Sequence, residues 1–206
     1  MARRLLYVAA EKDPLHLHAL RNRFLRTPNV VVQQLDPAKA EDFAAMERCF
    51  DTAVCLNVLE YLDDPAAMLR SVRAALKPGG SVIVLAPQGP GLFGNVDRRL
   101  GHKRRYRAAE LRALLEAEGF TVEQQYQFNR VGTLPWWAFS RAMGAGNINK
   151  LVLKIFDKTV WVWRRIDGLL PWPGLSLIVV ARNATAAPAG GAPSRPEAIR
   201  QGLSRE

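Results

Sequence analysis

The stretch Phe50 to Pro87, FDTAVCLNVLEYLDDPAAMLRSVRAALKPGGSVIVLAP, decides the fold. An apolar run, Thr52 to Leu56, ends at Asn57 and a short polar loop. Asp64-Pro65 then opens a helix, because Asp caps its free amides and Pro fixes φ where no donor is missed. Met68, Leu69, Val72 and Leu76 recur at helical spacing and predict its buried face. Lys77-Pro78-Gly79-Gly80 stops the helix, and Ser81 to Ala86 is a second apolar run of strand length. This order predicts an open α/β sheet whose polar mouth, at the carboxyl ends of the strands, is where such sheets bind small ligands.

The same grammar extends both ways. Leu5 to Ala10 reads as a buried strand ending at Glu11, and Asp13-Pro14 repeats the cap-and-proline signal before a helix with Leu17, Leu20 and Phe24 on one face. Val30 to Leu35 is a strand ending at Asp36-Pro37, and residues 39–47 form a weak helix. Downstream, Arg107 to Glu118 is a helix with Leu111, Leu114 and Leu115 inward and Gly119 as its left-handed stop. Phe120 to Phe128 and Leu175 to Ala181 complete the strands. Strands alternating with helices predict a parallel sheet.

Of 206 residues, 49% are hydrophobic, enough for a substantial core. The net charge of +10 favours anionic partners. The two cysteines, Cys49 and Cys55, suggest no disulfide framework, and neither has metal-ligand spacing. The three histidines are too scattered to suggest a metal site, and His16 and His18 are read as surface residues of a helix. Leu5 to Ala10 is too short for a signal peptide, and no run approaches the length of a membrane span. These features fit a cytoplasmic protein, with peripheral membrane attachment as the variant.

The NVLEY loop (Asn57 to Tyr61) and the LKPGG turn (Leu76 to Gly80) stand in the order and at the separation found in class I S-adenosylmethionine-dependent methyltransferases, which this chain resembles over roughly residues 4–182. The segment Gly101-His102-Lys103-Arg104-Arg105-Tyr106 is similar to the GH-x-RRY segment of a bacterial subgroup of that family, and the ending GLSLIVVAR resembles the same subgroup. The resemblance implies a Rossmann-like methyltransferase sheet, S-adenosylmethionine as cofactor and methyl transfer as activity. It places Glu11 at the ribose hydroxyls, Asp36 at the adenine amino group, and Asn57, Val58 and Leu59 along the methionine part of the cofactor. Tyr61 stands where the family has His, and Glu60 is either a helix cap or functional. His102 and Tyr106 are the candidates for positioning the acceptor or removing its proton. Arg98, Arg99, Lys103, Arg104 and Arg105 either hold a phosphate or carboxylate or form a solvated basic loop.

The family's Gly-x-Gly-x-Gly turn, with the strand and helix around it, has no counterpart. Gly79-Gly80 ends a helix, and Gly89, Gly91 and Gly94 follow a late strand. The absent strand normally lies between those at 5–10 and 52–56, so the expectation is an N-terminally truncated domain with a start placed too late. As given, the chain is expected to bind S-adenosylmethionine weakly. The expected organisation is a partial methyltransferase domain at 1–183, a Trp-rich helical insertion at about 131–171, and a disordered tail at 184–206.

The insertion carries Trp136, Trp137, Trp161 and Trp163, with Trp172 just beyond. Leu151, Ile155, Val162 and Ile166 fall at helical spacing, among Lys150, Lys154, Lys158, Arg164 and Arg165. Three readings stand: a helix on the sheet edge, a cap over a hydrophobic acceptor pocket, or a basic amphipathic helix on an anionic membrane. Two function classes follow. One is a methyltransferase acting on a small-molecule, glycan or lipid-linked acceptor, with nucleic acid ranked behind these. The other is a non-catalytic remnant or interaction protein that binds an anionic surface or partner.

Overall fold

The computed structural model describes residues 6–142 and 150–184. Its first strand, β1 (Tyr7–Glu11), leads through α1 (Pro14–Phe24) to β2 (Val30–Gln34), with which it pairs in parallel. Asp13 caps α1, its carboxylate accepting from the amides of Leu15 and His16. Residues 39–47, read as a weak helix, form a 3-10 turn at Ala40–Met46. Then come β3 (Phe50–Leu56), α2 (Pro65–Ala75) and β4 (Leu76–Pro87), the unit predicted from the central stretch, with β3 and β4 parallel. Asp64 caps α2 through the Ala67 amide.

Leu76 does not end α2 but begins β4, and the Lys-Pro-Gly-Gly turn is absorbed into the ladder through a register shift opposite Phe50 and Thr52. Gly80 is needed there, since a Cβ would lie 2.9 Å from the carbonyl of Lys77.

The chain continues through α3 (Asn95–Leu100), α4 (Ala108–Ala117), β5 (Phe120–Phe128), α5 (Thr133–Ala142), α6 (Lys150–Ile166) and β6 (Ser176–Asn183). The insertion is therefore a helix pair. The four-stranded sheet has the order β3-β4-β6-β5. It is not wholly parallel, because β6 runs antiparallel to both neighbours. The physical reason lies in the connection: the chain leaves β5 through the helix pair and re-enters at the same end, Ser176 pairing with Phe128, so no right-handed parallel crossover forms.

Leu59, Leu69, Leu76, Leu111, Leu115, Leu177, Val82, Val84 and Val179 form a single core between this sheet and helices α2 and α4. A smaller cluster of Leu35, Met46 and Ala75, with Phe43 and Phe50 against it, ties the end of β2 and the 3-10 turn to α2.

Among the described residues no ladder joins β1–β2 to the larger sheet. The division falls between β1 and β3, the strands that the resemblance sets on either side of a further strand. The β3 side chains there are open, with Val54 and Leu56 each 57% exposed. The tail at 184–206 lies outside the described residues apart from Ala184.

Core and surface positions should respond differently to truncation. Leu111→Ala, at a fully buried site, should cost about 2–5 kcal/mol. Leu15→Ala, at a residue 80% exposed, should stay within about 0.5 kcal/mol. Urea midpoints measure both, and equal shifts would contradict the core described.

Candidate active site at the carboxyl ends of the strands

Two sequence segments singled out separately are docked on each other. The loop after β3, residues 57–63, faces the segment 102–106, which also runs beside the end of β4. The Lys103 amide donates to the Glu60 carbonyl at 2.8 Å, and the Tyr106 hydroxyl to the Leu59 carbonyl at 3.1 Å. The Arg104 guanidinium donates to the carbonyls of Leu62 and Asp63, and Lys103 pairs with the Asp63 carboxylate. On the β4 side, the Tyr106 amide donates to the Pro87 carbonyl and the Gly89 amide to the Tyr106 carbonyl.

Asp97 holds this assembly from inside. It is fully buried in α3. Its Oδ1 accepts from Arg105 Nε at 2.8 Å and faces His102 Nδ1 at 3.0 Å, and its Oδ2 accepts from the Gly94 amide at 3.0 Å. Since a carboxylate only accepts, His102 donates from Nδ1. In the neutral ring Nε2 is then an acceptor, and the Tyr61 hydroxyl, 3.1 Å away, donates to it. The two rings meet edge to face, 4.9 Å between centroids and 85° between planes. The product is a chain Asp97–His102–Tyr61 that ends on a phenol 40% exposed at the mouth of the sheet.

The Trp-rich insertion closes on the same region. The Arg105 guanidinium lies 4.6 Å from the centre of the Trp136 ring, and Trp136 Nε1 donates to the Leu92 carbonyl. Ser140 of α5 approaches Gly94 so closely that a Cβ there would fall 1.9 Å from its Oγ. Through α5, then, the insertion covers the loops after β4 rather than the sheet edge.

Several of the sequence-predicted roles move. Tyr106 is buried, its hydroxyl committed to Leu59 and pushed up to about 12 by desolvation; it supports the loop from behind rather than facing an acceptor. Leu59 lies in the core instead of lining a pocket, because the 3-10 turn Leu59–Tyr61 directs it inward. Lys103, Arg104 and Arg105 bind this chain's own carbonyls and carboxylates. Arg98 and Arg99 are exposed, and the Arg98 guanidinium donates to Asn95 Oδ1 at 3.0 Å.

Glu60 is neither cap nor exposed. It is fully buried, and neither carboxylate oxygen finds a hydrogen-bond partner. Burial pushes it up to about 7, which its own amide and Arg105 oppose only in part. Sequence reasoning missed Asp97 and Tyr61 as a linked pair with His102; the signal lay in an acid five residues before the histidine.

The cofactor-side residues stand apart from this cluster. Glu11 ends β1 with Oε1 accepting from the amides of Lys12 and Asp13. Asp36, after β2, accepts from the Ala38 amide and lies 4.0 Å from Lys12 Nζ. A cleft of about 370 Å³, lined by Lys12, Gln34, Asp36, Lys39 and Asp42, opens there. Asn57 is exposed at the end of β3 with φ of 51°, its amide donating to the Leu85 carbonyl, and Val58 is half-buried behind it.

A family model described as a methyltransferase domain matches residues 6–125. This is more than half of the chain, which belongs to the methyltransferase-domain family. The chain is 37% identical over 67 residues to the ubiquinone biosynthesis O-methyltransferase of Albidiferax ferrireducens, covering 32% of this chain and 24% of that protein. It is 49% identical over 51 residues to an uncharacterized protein of Mycobacterium tuberculosis, covering 25% of this chain and 17% of that protein. The match thus spans a quarter or less of these relatives' own lengths. The fold is that of an S-adenosylmethionine-dependent methyltransferase from Mesorhizobium loti, with a TM-score of 0.60 at 16% identity over 86% of this chain and 80% of that one.

S-adenosylmethionine is the cofactor of this family, and the cleft at the ends of β1 and β2 fits its adenosine half. Carboxylates stand at both strand ends: Asp36 lines the cleft, and Glu11, outside that lining, holds the Lys12 and Asp13 amides through Oε1. For the methionine half, the described residues offer Asn57 and Val58 but no glycine-rich turn facing the cleft.

The state of Glu60 sets a pH dependence. Its folded value lies above its ordinary value, so its contribution is fully present below about pH 4.5 and is lost as pH rises through about 7. Stability should therefore fall by about 1–3 kcal/mol across that window. Glu60→Gln should flatten the profile in urea melts. A wild-type profile already flat between those pH values would contradict the assignment.

Proposed function

We propose that the protein transfers the methyl group of S-adenosylmethionine to an acceptor lying against the docked loops 57–63 and 102–106, with His102 drawing off the acceptor's proton. The Asp97–His102–Tyr61 chain carries this reading. It supplies a histidine whose acceptor nitrogen is bonded to a phenol, a carboxylate fixing its tautomer, and that phenol reaching outward, the arrangement that general-base chemistry needs. The acceptor is a small molecule, or a glycan or lipid-linked molecule presented at the surface, and the protein works in the cytoplasm, where its basic insertion contacts a membrane. A second reading, a non-catalytic protein that binds an anionic surface or partner, is favoured by the division of the sheet between β1 and β3.

When bound, the cofactor supplies an electrophilic methyl on a sulfonium. Glu11 and Asp36 bind its ribose and adenine, and Asn57 and Val58 flank its methionine end. Tyr61 hands its proton to His102 Nε2 as the acceptor's proton passes to the Tyr61 oxygen. Asp97 then neutralises the imidazolium from Nδ1. Trp136 and α5 shield Arg105, keeping its charge directed at Asp97 rather than at water.

Two substitutions test the two halves. Glu11→Ala should weaken S-adenosylhomocysteine binding by calorimetry by about 1.5–3 kcal/mol, and an unchanged affinity would remove Glu11 from the ribose site. His102→Gln should keep that affinity but lower turnover by about 10²–10⁴-fold. Turnover is read as S-adenosylhomocysteine released with a panel of hydroxyl and carboxylate acceptors. Unchanged turnover on the hydroxyl acceptors would exclude His102 as the base.

A further inference from the structure

The strongest feature that the proposed chemistry leaves unused is the outer face of α6. The helix reads KLVLKIFDKTVWVWRRI, with five cations and one acid, Asp157. At 100° per residue, Lys154, Lys158, Trp161 and Arg165 share one narrow stripe, spaced i, i+4, i+7, i+11. All four are exposed, as is Arg164 beside them, and Trp161 is exposed to 61%. Thr159, Val162, Trp163 and Ile166, on the other side, are half-buried. The helix therefore turns part of its apolar face toward the protein and presents cations around a tryptophan to the outside. The Arg165 guanidinium lies 5.5 Å from the centre of the Trp161 ring, so the indole is held within the charged stripe.

An outward indole ringed by lysines and arginines has a definite complement. Indole rings prefer the headgroup level of a bilayer, where the flat apolar body is covered and the N–H stays wet. Cations at that level are drawn to anionic phospholipid, and long Lys and Arg side chains let their charges remain at the phosphates while the stems bury. The same inserted segment exposes further apolar surface at Leu134, Trp137 and Leu169. Partial insertion into lipid rewards such surface, whereas a nucleic-acid backbone does not. No helix among the described residues is long and apolar enough to cross a membrane, so contact through α6 is peripheral.

We infer that the stripe Lys154, Lys158, Trp161 and Arg165 docks the protein on an anionic phospholipid surface. This deepens the membrane contact proposed above and stands independently of the methyl-transfer reading, because vesicle binding is measured without cofactor or acceptor.

The test is co-sedimentation with phosphatidylserine–phosphatidylcholine vesicles, set against phosphatidylcholine alone. Wild type should bind the anionic vesicles and lose binding between 0.1 M and 1 M salt, as the Debye length falls from about 10 to 3 Å. Lys158→Gln with Arg165→Gln should lower partitioning by about fivefold per cation removed. Trp161→Ala should weaken binding without changing its salt dependence. Circular dichroism and S-adenosylhomocysteine affinity should be unchanged in all variants, since these exposed residues lie outside the cofactor cleft. Equal binding of wild type and variants would overturn the inference. So would failure of wild type to bind vesicles while it binds a mixed-sequence single-stranded RNA through these cations.

Discussion

Asp97 is the constraint from which the rest of the site follows. One buried carboxylate takes the Arg105 guanidinium, the His102 ring and the Gly94 amide. Desolvating such a group is costly, and an ion pair of this kind is a poor source of net stability compared with packed apolar side chains. What it secures is geometry. Arg105 is drawn inward to the Gln88 carbonyl and the Trp136 ring. The chain from 102 to 106 must then lie between the loop after β3 and the end of β4, and His102 can only stand with Nε2 toward Tyr61.

This arrangement redistributes the chain's positive charge. The dense basic run after β4 looks in sequence like an anion-binding loop, yet Lys103, Arg104 and Arg105 close internal contacts, and Arg98 bonds Asn95 of its own helix. Lys103 meets Asp63, Arg104 caps the carbonyls that end the 3-10 turn, and Arg105 is buried. Outward cations line α6 further downstream, in an insertion that packs through α5 on the same loops. Within the clasp, Glu60 is the one carboxylate given burial without a bond, and its neutral form is the one that the interior favours.

Local signals in the sequence were legible where one residue type has one physical use. Asp13-Pro14 and Asp64-Pro65 mark helix starts, Gly119 with φ of 81° marks a stop, and the alternation around β3 and β4 gives the α/β sheet. The two loops of the site were legible as motifs, because they carry polar residues just past apolar strands. Facing was not. Whether Leu59 and Tyr106 turn inward depends on the 3-10 turn and on the partner segment 47 residues away. The direction of β6 depends on a long connection whose composition says helix but not where the chain re-enters. Asp97 escaped because its partners at i+5 and i+8 lie beyond the end of α3, where no periodicity reports contact.

The protonation of one ring tests the central claim most directly. His102 is one of three histidines, and the other two, His16 and His18, are exposed on α1. The ring nitrogens of ¹⁵N-labelled protein can therefore be assigned by substituting each in turn. At neutral pH the account predicts His102 with its proton on Nδ1, bonded to Asp97, and an unprotonated Nε2 whose shift moves when Tyr61 is replaced by Phe. A proton on Nε2, or a ring that exchanges tautomers freely and ignores both Asp97→Asn and Tyr61→Phe, would contradict it.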